Sequence, residues 1–113
     1  MRKLLVVVVL AAILAATGAG FALAGRRHTK RVGVGDNFFT RTSLTIKRGT
    51  RITWRWAHTH NRHNIKAIRG GHFHSKTTRK RGFHYSHVFR KRGTYTIICT
   101  IHPTQMRLKI RVV

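Results

Sequence analysis

Cys99, His102 and Met106 fall within the eight-residue stretch CTIHPTQM. A thiolate, an imidazole and a thioether set so close together suit a soft, redox-active metal better than a packed core, and copper is the first candidate. Copper that alternates between Cu(I) and Cu(II) takes two imidazoles and one thiolate in a near-trigonal plane, with a weak axial thioether. The stretch supplies three of these four donors, so a second imidazole has to arrive from elsewhere by folding. His63, in RHNIKAI, is the preferred candidate because Asn64 follows it and an apolar segment, Ile65 to Ile68, begins there. His58 and His60 lie close enough in sequence to be alternatives.

Such donors need a rigid frame, and the rest of the chain reads as short strands. Ile52, Trp54 and Trp56 share one face of a segment whose other face carries Arg51, Thr53 and Arg55, the period-2 pattern of a half-buried strand. Leu108, Ile110 and Val112 alternate with Arg107, Lys109 and Arg111 in the same way. Ser43 to Ile46 and Gly93 to Ile98 are rich in β-forming residues. Glycines recur between the apolar segments from Gly33 to Gly93, which predicts an all-β sandwich or barrel. The stretch Arg69 to Gly82, RGGHFHSKTTRKRG, breaks the alternation and is expected to form a long exposed loop between sheets.

The pairing of HN in mid-chain with CxxHxxxM near the end, together with GDNFF, LTIKRGTRITWRW and FRKRGTYTIICTIHP, resembles the plastocyanin and amicyanin branch of the cupredoxins. The resemblance runs from about Val34 to Val113. It implies a cupredoxin-like Greek-key β-sandwich of about seven to eight strands with one type 1 copper per chain. The implied ligands are His63, the buried imidazole; Cys99, the thiolate; His102, the imidazole whose outer edge reaches the surface; and Met106, the axial thioether. Asn64 and Thr100 are implied supports, the asparagine side chain tying the two ligand segments together and its backbone N–H directed at the thiolate. A plain turn residue is the alternative for Asn64. Plastocyanin-like loops place the methionine eight residues after the cysteine and amicyanin-like loops six, whereas Met106 lies seven after Cys99. Gln105 is therefore the alternative axial donor, since an amide oxygen can fill that position.

The N-terminus carries Arg2 and Lys3, then LLVVVVLAAILAA, then Ala22-Leu23-Ala24, a charged, apolar and small-residue sequence of the secretory kind. Residues 1–24 are expected to be a removed signal peptide, with an uncleaved anchor as the alternative because no charge interrupts Leu4 to Ala24. Either way the domain is expected outside the cytoplasm: periplasmic, associated with the cell envelope, or secreted. Residues 25–31, GRRHTKR, are expected to be a basic flexible arm, and residues 32–113 the folded copper-binding domain. That domain is small for a single core and Cys99, the sole cysteine, has no disulfide partner, so a metal fills the need for a staple.

Two further pairs of histidines, His58/His60 and His72/His74, have HxH spacing. In multicopper oxidases such pairs build an oxygen-reducing cluster beside a cysteine flanked by histidines, but Cys99 lies between Ile98 and Thr100. These four are expected to be solvated loop residues, with weak accessory metal binding as the alternative; His28, His84 and His87 are expected at the surface or in packing. The single carboxylate, the want of a nucleophile paired with a base and the want of a phosphate loop argue against an enzyme.

Lysine and arginine total 24 against one acid, Asp36, a formal net charge of +23 that falls to +21 once the first 24 residues are removed. Such a field draws in acidic redox proteins and anionic envelope polymers or lipid head groups. Nucleic acid is attracted by the same charge, but an extracytoplasmic location argues against it. The reading that results is a monomeric, exported blue copper protein carrying single electrons between redox partners. The alternatives are a cationic cupredoxin-fold module that binds anionic envelope polymers, and a protein that holds or delivers copper.

Overall fold

The computed structural model describes residues 28–113, which form eight strands in two four-stranded sheets. The strands are β1 (Thr29–Gly35), β2 (Phe38–Phe39), β3 (Ser43–Ile46), β4 (Thr50–Trp56), β5 (Lys66–Arg69), β6 (His84–Phe89), β7 (Gly93–Ile98) and β8 (Arg107–Val112). One sheet runs β2-β1-β4-β6 and the other β3-β8-β7-β5, with β1/β4 and β3/β8 parallel and the other pairs antiparallel. This is the all-β sandwich expected from the alternation.

The inward phase of each strand builds the core. Val32, Val34, Ile52, Trp54, Trp56 and Phe89 from the first sheet meet Ile46, Ala67, Tyr95, Ile97, Leu108, Ile110 and Val112 from the second. Trp54 and Trp56 are fully buried, so each removes a large apolar surface from water at about 25 cal/mol per Å². The outward phase of β4 and β8 is basic throughout except for Thr53, as the period-2 pattern requires.

Two boundaries differ from the sequence expectation. Thr29, Lys30 and Arg31, expected in the flexible arm, are the first residues of β1, because they pair in parallel with Arg51, Ile52 and Thr53 of β4. Their side chains stay exposed, which is why no apolar periodicity marks them. The stretch 70–82 is irregular but is not a free loop. It runs antiparallel beside residues 63–67, with backbone pairs between His63 and Thr78, Ile65 and Ser75, and Ala67 and Phe73, and Ser75 is buried. The expected signal segment, residues 1–24, and the start of the arm lie outside the described residues. Among the described residues no helix is long and apolar enough to cross a membrane.

Candidate metal centre

Strand phase and register carry the candidate ligands to one pole. On β7 the inward positions are Tyr95 and Ile97, and the next in phase is Cys99, which is fully buried. On β8 they are Leu108, Ile110 and Val112, and the position before them in phase is Met106, also fully buried. Ile98 pairs with Arg107, so continuing the ladder by one step brings Cys99 and Met106 face to face, and the Cys99 N–H donates to the Met106 carbonyl at 3.1 Å. The connection folds tightly between them. His102 N–H donates to Cys99 O at 3.2 Å and Met106 N–H to His102 O at 2.9 Å.

The same logic places the mid-chain segment. Ala67 of β5 is inward and pairs with Ile97, so Ile65 and His63 continue the inward phase beside Cys99. Both are fully buried. Asn64, of opposite phase, stands across from Thr100. The Asn64 Oδ1 accepts the Thr100 N–H at 2.9 Å, and its Nδ2 donates to the hydroxyls of Thr100 and Thr77, each at 2.8 Å. These bonds join the segment that carries His63 to the loop after β7. No hydrogen bond from the Asn64 N–H to the thiol occurs among the described residues.

His63 Nδ1 lies 4.0 Å from Cys99 Sγ, and the rings of His63 and His102 are 5.2 Å apart between centroids. The Nε2 of His102 is buried without a hydrogen-bond partner among the described residues, a costly state for a polar nitrogen unless something else engages it. As placed, no three His, Cys, Asp or Glu side chains among the described residues close into a ready-made cage. The residues nevertheless fit a metal. The 4.0 Å between thiol and imidazole is a little less than a metal–sulfur plus a metal–nitrogen bond of about 2.3 and 2.0 Å, so one ion fits between them. A thioether buried in the same pole completes a soft donor set of the kind copper takes.

The alternatives fall elsewhere. Gln105 is exposed while Met106 is buried, so the seven-residue spacing turns the thioether inward and the amide outward. His58 and His60 are exposed and their rings meet edge to face at 5.2 Å. His72 and His74 are exposed on the strip beside β5, His28 and His84 are exposed, and His87 stacks on Phe73 with centroids 3.6 Å apart.

Asp36 is the residue that sequence reasoning missed. It sits in the turn between β1 and β2, and its Oδ1 is 3.0 Å from Nε2 of His63 while its carboxylate also accepts the N–H groups of His60 at 2.7 Å and Asn61 at 3.1 Å. The His60 N–H above all, then His63 and the Asn61 N–H, hold its carboxyl well below the ordinary carboxylate range, so it is ionised at neutral pH. The one signal in the sequence was its isolation, a single acid among 24 basic residues.

Comparison with known proteins agrees with this geometry. Residues 29–113 match the family described as copper binding proteins of the plastocyanin/azurin type. No curated protein matches the chain by sequence. Among solved structures, a purple cupredoxin from Nitrosopumilus maritimus superposes with a TM-score of 0.64 at 24% identity, over 74% of this chain and 98% of that one. A reduced amicyanin variant is 30% identical with a TM-score of 0.63, over 75% of this chain and 82% of that one. A copper-containing nitrite reductase from Thermus scotoductus has a TM-score of 0.62 over 78% of this chain, which corresponds to 22% of the reductase. The chain therefore belongs to the plastocyanin/azurin family of copper-binding proteins, the cupredoxins, which hold a single type 1 copper per chain.

Proposed function

We propose that this protein is an exported one-electron carrier whose copper is held by His63, Cys99, His102 and Met106. The observation that carries the proposal is the 4.0 Å approach of the buried Cys99 thiol to Nδ1 of the buried His63, with the His102 ring 5.2 Å from the His63 ring between centroids and the Met106 thioether buried opposite Cys99. When bound, copper supplies a Cu(II)/Cu(I) couple; the residues determine how little has to move around it. Cys99 and Met106 are anchored by adjacent strands and by their own backbone hydrogen bond, and His63 by the paired strip 74–78. A ligand set fixed in this way changes little between oxidation states, which favours fast transfer. Cys99 provides the thiolate that couples most strongly to the metal. His102 is partly exposed between the exposed Ile101 and Pro103, so this loop would offer a short route to a docked partner. Asn64 and Thr100 hold the two ligand segments in register.

The basic outer faces of β4 and β8 fit a partner that is acidic at its docking surface. Residues 1–24 would direct export.

The test is a visible absorption and electron paramagnetic resonance spectrum during titration with one equivalent of Cu(II). An intense thiolate-to-copper band with narrow hyperfine splitting is expected, and it should vanish in Cys99→Ser while the β structure survives. A weak tetragonal spectrum would overturn the proposal and leave the cationic surface as the basis of function.

A further inference from the structure

Asp36 is the only carboxylate side chain of the chain, and its position is not incidental. Gly35 pairs with Phe38 across the turn, and Asn37 takes a left-handed φ of 66°. These set the backbone from which the Asp36 side chain projects. From the other side, the N–H groups of His60 and Asn61 grip the carboxylate. With the carboxylate fixed from both sides, the fully buried His63 ring meets it at 3.0 Å through Nε2.

Two consequences follow from charge and tautomer. An ionised carboxylate only accepts hydrogen bonds, so the His63 proton belongs on Nε2 and the lone pair on Nδ1, the nitrogen that faces Cys99 Sγ. A carboxylate acceptor on the far nitrogen of a ligating imidazole raises its basicity, and it sets a negative charge one ring away from the metal. The remaining charged side chains of the chain are all basic, so their field opposes the more highly charged Cu(II). We propose that Asp36 is a positioning residue that fixes His63 with its Nδ1 lone pair toward copper and sets the site's preference toward Cu(II), lowering the potential. The inference rests on His63 being a ligand, as proposed above.

The experiment has two arms on the purified protein. Nitrogen-15 chemical shifts of His63 in the copper-free wild type read the tautomer without any substitution. The Nε2–H form is expected, and an Nδ1–H form would overturn the inference. In Asp36→Asn the charge is removed while an amide oxygen of the same shape remains. The intense thiolate band is expected to persist, the ratio of Cu(II) to Cu(I) affinity to fall at least tenfold, and the potential to rise by about 59 mV or more for this one-electron couple. Asp36→Glu should restore part of the shift. A potential and tautomer unchanged in Asp36→Asn, with the band intact, would sink this inference alone. A wild type without the band, or His63→Gly that keeps it, would remove the ligand assignment beneath it.

Discussion

Asn64 uses both ends of its side-chain amide on Thr100, accepting the backbone N–H at 2.9 Å and donating to the hydroxyl at 2.8 Å. This exchange continues the β5/β7 ladder past the point where regular strand ends, since Lys66 pairs with Ile98 and two further steps bring residue 64 opposite residue 100. It joins the segment that carries His63 to the loop that carries Cys99 and His102. Asn64→Ala should lower the stability of the copper-free protein by about 1–3 kcal/mol, toward the low end because Thr100 is exposed and water can reach it. Copper release should accelerate in the same variant. Thr100→Val, which keeps the N–H, should do less on both counts. Urea melts and the rate of copper transfer to a chelator measure the two effects.

The burial of Met106 beside an exposed Gln105 gives a second test. Met106→Leu should change the stability of the copper-free protein by less than about 1.5 kcal/mol, because volume is nearly conserved, whereas Met106→Ala should cost about 2–5 kcal/mol through the cavity it leaves. Met106→Gln exchanges a soft thioether for a harder oxygen that favours Cu(II), so the potential should fall. Gln105→Ala should leave stability within about 0.5 kcal/mol of wild type and the potential unchanged. Voltammetry on the four variants separates the axial residue from its neighbour.

The sequence showed the frame where one face of a strand is buried and the other is wet. Ile52, Trp54 and Trp56, like Leu108, Ile110 and Val112, announced their strands because period-2 burial was the only arrangement that hid them. The same phase, extended one position, also explains why Cys99 and Met106 point inward. Thr29 to Arg31 were illegible because parallel pairing to β4 uses only their backbones and asks nothing of their side chains. The strip 70–82 looked like a loop because Phe73 is its one side chain packed on the core among those of 70–78, and its other contacts there are backbone pairs and short polar side chains such as Ser75 and Thr77. Asp36 lies 27 residues from His63, and no local pattern records a contact made only when the β1–β2 turn packs on the loop before β5.

The charge pattern makes a kinetic prediction. Arg51, Arg55, Arg107, Lys109 and Arg111 all face outward on two strands, and among the described residues the one carboxylate is turned toward His63. Reaction with an acidic redox protein should be fast at low salt and slow by roughly 10-fold or more as ionic strength rises, since exposed charges are screened beyond about 10 Å at 0.1 M. A basic partner should show the opposite trend. Stopped-flow rates across a salt series read both signs, and flat profiles would reduce the basic faces to a solubilising coat.

His87 supplies the pH dependence. Its ring stacks on Phe73 at 3.6 Å and meets Phe89 edge to face at 4.9 Å, and Arg90, Lys91, His72 and Tyr95 line the same surface hollow. Burial, with the Arg90 charge adding to it, lowers its pKa from the ordinary 6.5. The unfolded chain therefore binds this proton at a higher pH than the folded chain does. Stability from the neutral ring is complete above 6.5 and is lost as pH falls from there through the folded pKa, the sign that a depressed histidine requires. Asp36 is separate, because its contribution is lost only below the ordinary carboxylate value of 3.8. His87→Phe keeps an aromatic ring between Phe73 and Phe89 and removes the titration. Melting temperatures of the copper-free protein should fall between pH 7 and pH 5 in the wild type and fall less in His87→Phe, and equal slopes would show that the ring protonates without cost to the fold.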